Sequence, residues 1–495
     1  MLRYLEGNLD ILSTSEHEQI PLLQGLEEYC KKDIASFDVL GHVKDQGVEL
    51  LNNYFGKRLM RMDINSSPQM DNVSNPKGII KESEQLLANA YKADNAFFLT
   101  NGTTQGIHVM ILSVLNPGDK IILPRNVHKS AINALILSGG IPVYIQPEYN
   151  NEFGISLNLS LEKVRKALDE NDDVKALFLL NPTYYGACAE LKEIVRLCHD
   201  RNVLVLVDEA HGAHFPFYED LPPSAMECNA DMSAVSLHKT GGALTQASAL
   251  LVNNKNIDDK KVLQYINMLQ STSASYLLMA SLDGARSNLM LNGEGQLSKA
   301  LNLARYAKRK INKIKGIKVI SNELLESEGV SFIDETKLCI NVKELNLTGF
   351  EVYNLLYKDF NVQVELGDMY NILALISIGT IKSDVDKLIK SLNIISNMNS
   401  KNVLINSIKI KPVLPRVKLS PREAFYSKKE SKLLKDCIGK VSAESIMAYP
   451  PGIPIISPGE IITEEIIDYI NLLKNSKAYL TDMKDKTLNT ILVVI

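Results

Sequence analysis

From about Asn95 the chain alternates short β-rich runs with longer amphipathic runs. In order these read "AFFLT", "TTQGIHVMILSVL", "KIILP", "HKSAINALILSGG", "PVYIQP", "LEKVRKALDE", "VKALFLL", "LKEIVRLCHD" and "VLVLVD". Runs such as "VLVLVD" are apolar on both faces, as central parallel strands covered by helices on each side must be. The alternation predicts a doubly wound α/β domain with a mostly parallel sheet. In such a domain, ligands bind at the carboxyl ends of the strands.

The pattern changes after this region. Beyond Ser271 the sequence becomes helical, and from Gly316 a smaller mixed segment follows with the strand-like run "VSFIDETKLCINV". The polar stretch "SNMNSKNVLINSIK" near residue 400 is typical of a joint, and the proline-rich "MAYPPGIPIISPGEII" predicts loop and short strands, since proline breaks helices. We therefore expect an N-terminal segment at 1–65, a major domain at 66–315, a small α+β domain at 316–400 and a C-terminal domain at 401–495.

Composition narrows the class of protein. The formal net charge of -4 over 495 residues does not favour a nucleic-acid partner. No run approaches 18 uninterrupted apolar residues, so we expect a cytoplasmic protein without a membrane partner. The cysteines form no CxxC pair, which is typical of reduced thiols; they are Cys30, Cys188, Cys198, Cys228, Cys339 and Cys437.

Lys239 lies in the stretch "DMSAVSLHKTGGALTQASALLV", with apolar residues on both sides. Lysine is rarely buried without a partner. A desolvated lysine has a lowered pKa and forms Schiff bases with aldehydes, as in the usual attachment of pyridoxal phosphate. The alternative is a loop lysine with its ammonium group in water.

The strand "VLVLVD" ends at Asp208, and His211 and His214 follow it. A buried carboxylate at a strand end can keep the ring nitrogen of pyridoxal phosphate protonated through a charge-assisted hydrogen bond. The two histidines could instead serve a metal, but no third ligand lies nearby in the sequence, and zinc sites usually have three or four protein ligands. We therefore predict no metal.

Three other strand ends supply complementary groups. "FFLTNGTTQGIHVM" places Gly102, Thr103 and Thr104 at a helix N-terminus, which is a cradle for a phosphate or else an ordinary N-cap. His128 in "PRNVHKS" offers a flat ring for stacking, or is a surface histidine, and Thr183 in "LNPTYYG" offers a hydroxyl to the cofactor's phenolic oxygen. Together with Asp208 and Lys239 they predict a pyridoxal-phosphate site.

These motifs resemble the bacterial ornithine/lysine/arginine decarboxylases, pyridoxal-phosphate enzymes of fold type I related to aspartate aminotransferase. The resemblance covers almost the whole chain. Its motifs include "FFLTNGTTQGIHVMIL", "PGDKIILPRNVHKSAINALILSGG", "NPTYYG", "DEAHGAHF", "SLHKTGGALTQAS", "STSASYLLMASLDGAR", "SPREAFYSKKE" and "YPPGIPIISPGE". The last two are highly specific, because aminotransferases of the same fold lack them.

The resemblance implies a role for each matching residue. Lys239 carries the cofactor, Asp208 pairs with its ring nitrogen and His128 stacks on its ring, and these three are the implied catalytic residues. The implied phosphate ligands are Thr103, Thr104, Ser236 and His238, while Ala210, His211 and Thr183 surround the ring and its 3-oxygen. Glu365 and Asp368 in "VELGDMYN" are similar to an acidic patch of the family without an assigned role.

One motif departs from the family. Its N-terminal signature usually reads Phe-His-Val-Pro-Gly-His-Lys-Gly, whereas this chain has "FDVLGHVKDQG". Asp38, Leu40 and Val43 replace the first His, the Pro and the Lys, while Gly41 and His42 match. This loop lies near the active site in the family. The three replacements are therefore expected to alter the choice of substrate, and they bear on whether the chain is active at all.

The resemblance implies decarboxylation of a basic amino acid for polyamine biosynthesis. We expect arginine to give agmatine, with lysine to cadaverine and ornithine to putrescine as close alternatives. Two other hypotheses remain: an aminotransferase or other α-carbon enzyme, and a non-enzymatic homologue that binds the cofactor. The resemblance also implies a homodimer or higher oligomer, in which Ser271 and Thr272, before a helix beginning near Ser275, reach the neighbouring subunit's phosphate.

Overall fold

We describe the protein from a computed structural model, which describes residue 12 and residues 15–320, 322–398, 413–448, 452–476 and 478–495. The fold is α/β with a mainly parallel central sheet, as predicted. The polar stretch near residue 400, expected to be a joint, lies largely outside the described residues. Among the helices described, none combines the length and apolar character needed to span a bilayer.

The α-helices run, in chain order, as α1 (Pro21–Lys31), α2 (Glu49–Phe55), α3 (Lys57–Met62), α4 (Ile79–Ala90), α5 (Gly102–Val114), α6 (Lys129–Ser138), α7 (Leu161–Asp169), α8 (Leu191–His199), α9 (Leu237–Thr240), α10 (Asp259–Leu269), α11 (Tyr276–Ile311), α12 (Gly349–Phe360), α13 (Lys382–Ser396), α14 (Pro421–Tyr426) and α15 (Glu464–Asn475).

The strands are β1 (Asn95–Leu99), β2 (Lys120–Pro124), β3 (Ile141–Ile145), β4 (Tyr149–Asn150), β5 (Ile155–Ser156), β6 (Val174–Leu180), β7 (Ala187–Cys188), β8 (Leu204–Asp208), β9 (Met232–Val235), β10 (Ser248–Val252), β11 (Lys318–Val319), β12 (Phe332–Ile333), β13 (Lys337–Asn341), β14 (Leu366–Gly367), β15 (Asn371–Leu375), β16 (Lys429–Leu433), β17 (Ile446–Ala448), β18 (Ile453–Ile456), β19 (Leu480–Thr481) and β20 (Thr490–Val494).

The chain divides into two compact units, and the first comprises residues 1–113 and 207–296. Its part of the central sheet has β10 between β1 and β9, antiparallel to both. Every residue of β9 and β10 is buried, as expected for strands in the interior of a sheet that is covered on both faces. A doubly wound sheet thus contains one antiparallel strand at β10.

The second unit comprises residues 114–206 and 297–495. Here β2 lies between β3 and β6 and is parallel to both. A separate antiparallel sheet has the order β11-β13-β15-β14, and α12 and α13 pack with it around a core that includes Leu338, Ile340, Leu356 and Leu392. The proline-rich segment forms β17 and β18, an antiparallel pair, in agreement with the predicted short strands. The four domain boundaries drawn from the sequence stay a prediction.

Local chemistry explains where several of these helices begin. Thr348 and Ser420 cap α12 and α14, each in a capping box with a glutamate three residues on. The α6 helix ends at Gly139, whose φ of 76° is a left-handed conformation that glycine adopts without steric cost. These signals are local, so the periodic runs of the sequence correspond closely to the elements.

Candidate active site

Lys239 lies in the first unit on the short helix α9, directly after β9 and Ser236. The side chain is partly buried, and its Nζ lies 3.0 Å from the Nε2 of His211, itself a buried residue. A neutral imidazole nitrogen accepts a hydrogen bond from an amine, so this contact orients Nζ. The apolar surroundings predicted for Lys239 therefore include a polar partner 28 positions earlier in the chain.

Asp208 is the last residue of β8, and its side chain is 3% exposed. Its Oδ1 accepts a hydrogen bond from the backbone N–H of Ala210 at 3.1 Å. Burial raises the pKa of the Asp208 carboxyl, while the positive charge of Lys239 and the Ala210 hydrogen bond act in the opposite direction. The charge of the predicted lysine thus acts on the carboxyl of the predicted acid.

The predicted phosphate donors meet at the N-terminus of α5. The Oγ1 of Thr103 and the Oγ of Ser236 are 3.0 Å apart although 133 positions separate them in the sequence. Gly102 opens the helix with a φ of 72° and donates its N–H to the carbonyl of Gln246 at 3.0 Å. Thr104 is exposed on the first turn. Two hydroxyls at a helix N-terminus, where the first backbone N–H groups have no partner within the helix itself, are a donor set that suits a phosphate.

His238 is the neighbour of Lys239 on α9. Its Nδ1 contacts the carbonyl of Ala247 at 3.0 Å and the Oγ of Ser248 at 3.3 Å. Burial lowers the pKa of its imidazole, opposed by the Ala247 contact. Ala210 and His211 are both buried beside Asp208 in sequence. The first unit thus holds the implied acid, lysine and phosphate donors and, of the implied ring-lining residues, Ala210 and His211.

His128 and Thr183 belong to the second unit. His128 follows β2 and caps α6, where its Nδ1 accepts from the backbone N–H of Ser130 at 3.3 Å. Thr183 is buried, and its Oγ1 accepts from the N–H of Ala187 at 3.1 Å. Their predicted positions after strand ends are correct. Their roles toward the cofactor stay predictions.

Ser271 and Thr272 are exposed just before α11, in the first unit. The Oγ of Ser271 accepts from the backbone N–H of Ser273 at 3.1 Å, and the backbone N–H of Met279 donates to the carbonyl of Ser275. The helix therefore begins where the sequence predicts. An exposed pair of hydroxyls at this position is available to a second chain.

The divergent N-terminal loop forms a turn in which the N–H of Val43 donates to the carbonyl of Leu40 at 3.1 Å. Val43 has a φ of 38°, an uncommon conformation for a β-branched residue. The matching residue His42 contacts the Oδ2 of Asp63 through Nε2 at 3.2 Å. Asp38 is exposed. The two other acids, Glu365 and Asp368, lie in the second unit, where Glu365 is exposed and Asp368 partly buried.

The sequence pattern does not reveal the neighbouring carboxyl, Glu209. It is fully buried, accepts hydrogen bonds from the N–H of Ala225 and the hydroxyl of Ser233 at 2.8 Å each, and burial raises its pKa to about 8. In the sequence, Asp208 and Glu209 are neighbouring acids at the end of the same apolar run, and nothing in the pattern separates their roles. Only the structure distinguishes Glu209, bonded to a strand and a turn, from Asp208, which lies near Lys239.

Comparisons with known proteins place the chain among decarboxylases. Residues 20–384 match the family described as "Orn/Lys/Arg decarboxylase, major domain", and residues 406–481 match its "C-terminal domain". An arginine decarboxylase of Halalkalibacterium halodurans is 42% identical over 97% of this chain and 98% of its own length. An arginine decarboxylase of Bacillus subtilis is likewise 42% identical, with the same coverage.

A solved structure shares the fold. The constitutive lysine decarboxylase of Escherichia coli superposes with a TM-score of 0.82 over 97% of this chain and 82% of that chain, at 19% identity. At this identity the likeness concerns the fold alone. The family resemblance drawn from the sequence motifs is confirmed.

Proposed function

The chain belongs to the Orn/Lys/Arg decarboxylase family, and on that premise we propose that it converts arginine to agmatine in the cytoplasm, with pyridoxal phosphate as cofactor. The observation that carries the choice of arginine is the 42% identity, over 97% of the chain, to relatives named arginine decarboxylase. Agmatine is a precursor of polyamines. Lysine and ornithine are the competing substrates within the family.

The donor set of the first unit supports this cofactor. Thr103, Ser236 and the start of α5 would hold the phosphate, with Thr104 and His238 beside them. Lys239 would hold the cofactor covalently. Its Nζ already lies beside an imidazole and an acidic group rather than in bulk water. His128 and Thr183 of the second unit are proposed to contact the ring and its 3-oxygen.

When bound, pyridoxal phosphate supplies a conjugated ring that accepts the electron pair released as the carboxylate leaves Cα. Asp208 holds a proton on the ring nitrogen, because a buried carboxylate stabilises a positive charge within hydrogen-bond reach. Lys239 or His128 would supply the proton that Cα takes up. His211 orients the Nζ of Lys239 through the 3.0 Å contact. Burial around Asp208 excludes water from this charge pair.

The active unit is proposed to be a homodimer. Ser271 and Thr272 are exposed at the start of α11, and phosphate donors of the same chain already occupy α5. The first unit also exposes large apolar side chains between residues 34 and 59, as surfaces that meet another chain do. These are Ile34, Phe37, Val39, Leu50, Leu51, Tyr54, Phe55 and Leu59. A second copy is the occupant that accounts for both features.

Subunit mixing tests the shared site. Lys239→Ala and Thr272→Glu should each be inactive alone, the latter because it places a negative charge near a phosphate. Hybrid dimers would contain one intact site, so mixing should restore part of the activity. Absence of recovery, with subunit exchange demonstrated by a size-tagged variant, would contradict the shared site.

A substrate panel tests the proposed reaction. The purified holoprotein is incubated with arginine, lysine and ornithine, and carbon dioxide and amine products are quantified. Agmatine and carbon dioxide in equal amounts are expected from arginine, with the highest kcat/KM of the three. A keto acid without carbon dioxide would identify an aminotransferase instead.

The divergent loop provides a second test. It applies if the cofactor binds but no substrate turns over. The double variant Leu40→Pro with Val43→Lys then restores two of the family's loop residues, and its activity distinguishes a binding homologue from an enzyme. Gain of activity in that double variant would assign the lost activity to the loop. We expect the natural chain to need no such change.

A further inference from the structure

A cavity of about 200 Å³ lies wholly within the second unit. Its polar lining includes Gln146, directly after β3, Tyr149 in β4, Tyr185 after β6, Asp368 after β14 and Tyr469 in α15. Four separate parts of the sequence therefore contribute to its wall. None of these side chains belongs to the donor set around Lys239.

Asp368 gives the cavity a negative group. The hydroxyl of Tyr185 donates to its Oδ2 at 2.6 Å, and the backbone N–H groups of Tyr370 and Asn371 each donate to its Oδ1 at 2.7 Å. These bonds fix the carboxylate but bring no positive charge. Among the described residues, no lysine or arginine forms an ion pair with Asp368.

The positive group on the cavity wall is neutralised elsewhere. Arg125 donates through Nε and one terminal nitrogen to the two oxygens of Glu460, at 2.9 Å each, and also to the carbonyl of Pro454 at 2.7 Å. Both charged side chains of this pair are buried. The guanidinium of Arg125 is therefore paired with Glu460, and its charge is balanced there. The carboxylate of Asp368, when ionised, gives the cavity a net negative charge.

Two further polar atoms face the cavity without a protein partner. The Oη of Tyr149 and the Oε1 of Gln146 are buried and form no hydrogen bond with any residue that the structure describes. A buried polar atom that stays unpaired destabilises the folded protein. The amide oxygen of Gln146 only accepts hydrogen bonds. A ligand that donates hydrogen bonds would satisfy it, and the same ligand would complement Asp368.

Much of the remaining wall is apolar, with Phe350, Ile453, Ile455, Ile466 and Leu473, although Asn126 and Ser156 also line it. Tyrosine faces attract cations, and aliphatic walls favour a short hydrocarbon stem. We propose that this cavity binds a small aliphatic amine or guanidine cation. Its charged head lies toward Asp368, Gln146 and Tyr149, and its stem lies on the apolar wall.

Burial raises the pKa of the Asp368 carboxyl, while the Tyr185 and backbone hydrogen bonds act in the opposite direction. A bound cation favours the ionised carboxylate, so affinity should rise as the pH rises through that pKa. The proposed function enters only in the choice of probe: agmatine combines a guanidinium, an ammonium and a four-carbon stem.

Agmatine binding is measured by titration calorimetry on holoprotein reduced with borohydride, so that Lys239 cannot exchange its cofactor for the added amine. One agmatine per chain is expected. Asp368→Asn should weaken it at least about tenfold, and Tyr149→Phe about threefold to tenfold, as expected for one charged and one neutral hydrogen-bonding partner. The uncharged analogue 1,4-butanediol should not bind.

Asp359→Asn is the matched control, since Asp359 is exposed on α12 and does not line the cavity. It should bind like the parent. The Tyr149 hydroxyl makes no hydrogen bond to a described residue, so Tyr149→Phe should fold even if Asp368→Asn does not. Melting temperatures verify each variant.

Absence of binding, or binding that neither variant weakens, would overturn the proposal. So would a rise in the KM for arginine in Asp368→Asn that parallels the loss of agmatine affinity, because Asp368 would then belong to the substrate site. Agmatine binding without arginine decarboxylation would support this cavity and contradict the proposed function. Decarboxylation without such binding would do the reverse.

Discussion

Replacement of Asp208 by asparagine removes one negative charge from the candidate active site with little change in shape. The Oδ1 of Asp208 accepts from the N–H of Ala210 at 3.1 Å, and an asparagine oxygen can keep that bond. The residue is buried at the end of β8. We therefore expect Asp208→Asn to fold and to bind pyridoxal phosphate.

The size of the rate loss in Asp208→Asn follows from the interactions that a neutral amide does not make. A hydrogen bond to a charged group contributes about 1.5–3 kcal/mol. Since about 1.4 kcal/mol corresponds to a tenfold change in rate, this loss alone lowers the rate roughly 10- to 150-fold. A neutral amide also does not hold the ring nitrogen protonated, which weakens the electron sink itself. The combined loss should reach several orders of magnitude in kcat.

The assay is agmatine formation from arginine under cofactor saturation, with cofactor content measured by absorbance. Glu209→Gln is the matched control, because the adjacent carboxyl is equally buried but bonds Ala225 and Ser233 instead. Burial raises the pKa of Glu209 to about 8, so it is mostly protonated at neutral pH and glutamine preserves its charge. This control should keep most of the activity.

Near-parental kcat in a fully loaded Asp208→Asn protein would refute the reasoning, because the acid would then have no part in the reaction. An equal loss in Glu209→Gln would be just as damaging. It would mean that the defect arises from disturbing any buried carboxyl at the end of β8.

Lys239→Ala should lose turnover and the borohydride-trapped cofactor, as judged by mass spectrometry; an adduct persisting on another lysine would show that the attachment site is wrong. The pKa of Glu209 is raised to about 8 from an ordinary 4.5, so between these values the folded state holds a proton that the unfolded state releases. The free energy of unfolding should therefore fall by up to about 1.4 kcal/mol per pH unit between about pH 5 and 8. Denaturant titrations should show that slope reduced in Glu209→Gln, and an unchanged slope would contradict the assignment. Arg125→Ala should destabilise the protein by about 3–5 kcal/mol, because it leaves Glu460 buried and unpaired. Lys129→Ala, which removes a half-exposed ion pair with Asp482, should cost under about 1 kcal/mol. Similar costs for the two variants in urea unfolding would argue against the buried pair.

Much of the fold follows from local sequence. The alternating runs between Asn95 and Asp208 correspond to the elements from β1 to β8, because hydrophobic periodicity reports which face of each element is buried. The predicted helix starts near Thr103 and Ser275 agree with α5 and α11 within a residue. The antiparallel direction of β10 is not readable in this way, since an apolar strand has the same composition in either direction.

In the candidate site too, some features are readable from local sequence and others depend on the tertiary structure. Asp208, His128 and Lys239 stand out in the sequence because each is a polar residue that follows an apolar strand, and ligands of parallel sheets bind beyond the ends of the strands. Spacing along the chain carries no information about pairs formed by folding. The Thr103 and Ser236 hydroxyls meet across 133 positions, and Tyr185 reaches Asp368 across 183.

The sequence by itself determined the class of elements, the family and the residue types of the candidate site, because periodicity and short motifs are properties of neighbouring residues. Only the tertiary structure decided that His211 contacts Lys239, that Glu209 is bonded away from it, and that Asp368 faces a cavity without a cationic partner among the described residues. Those outcomes depend on which distant segments pack together. The burial that results determines which polar groups are paired and which charges remain for a ligand.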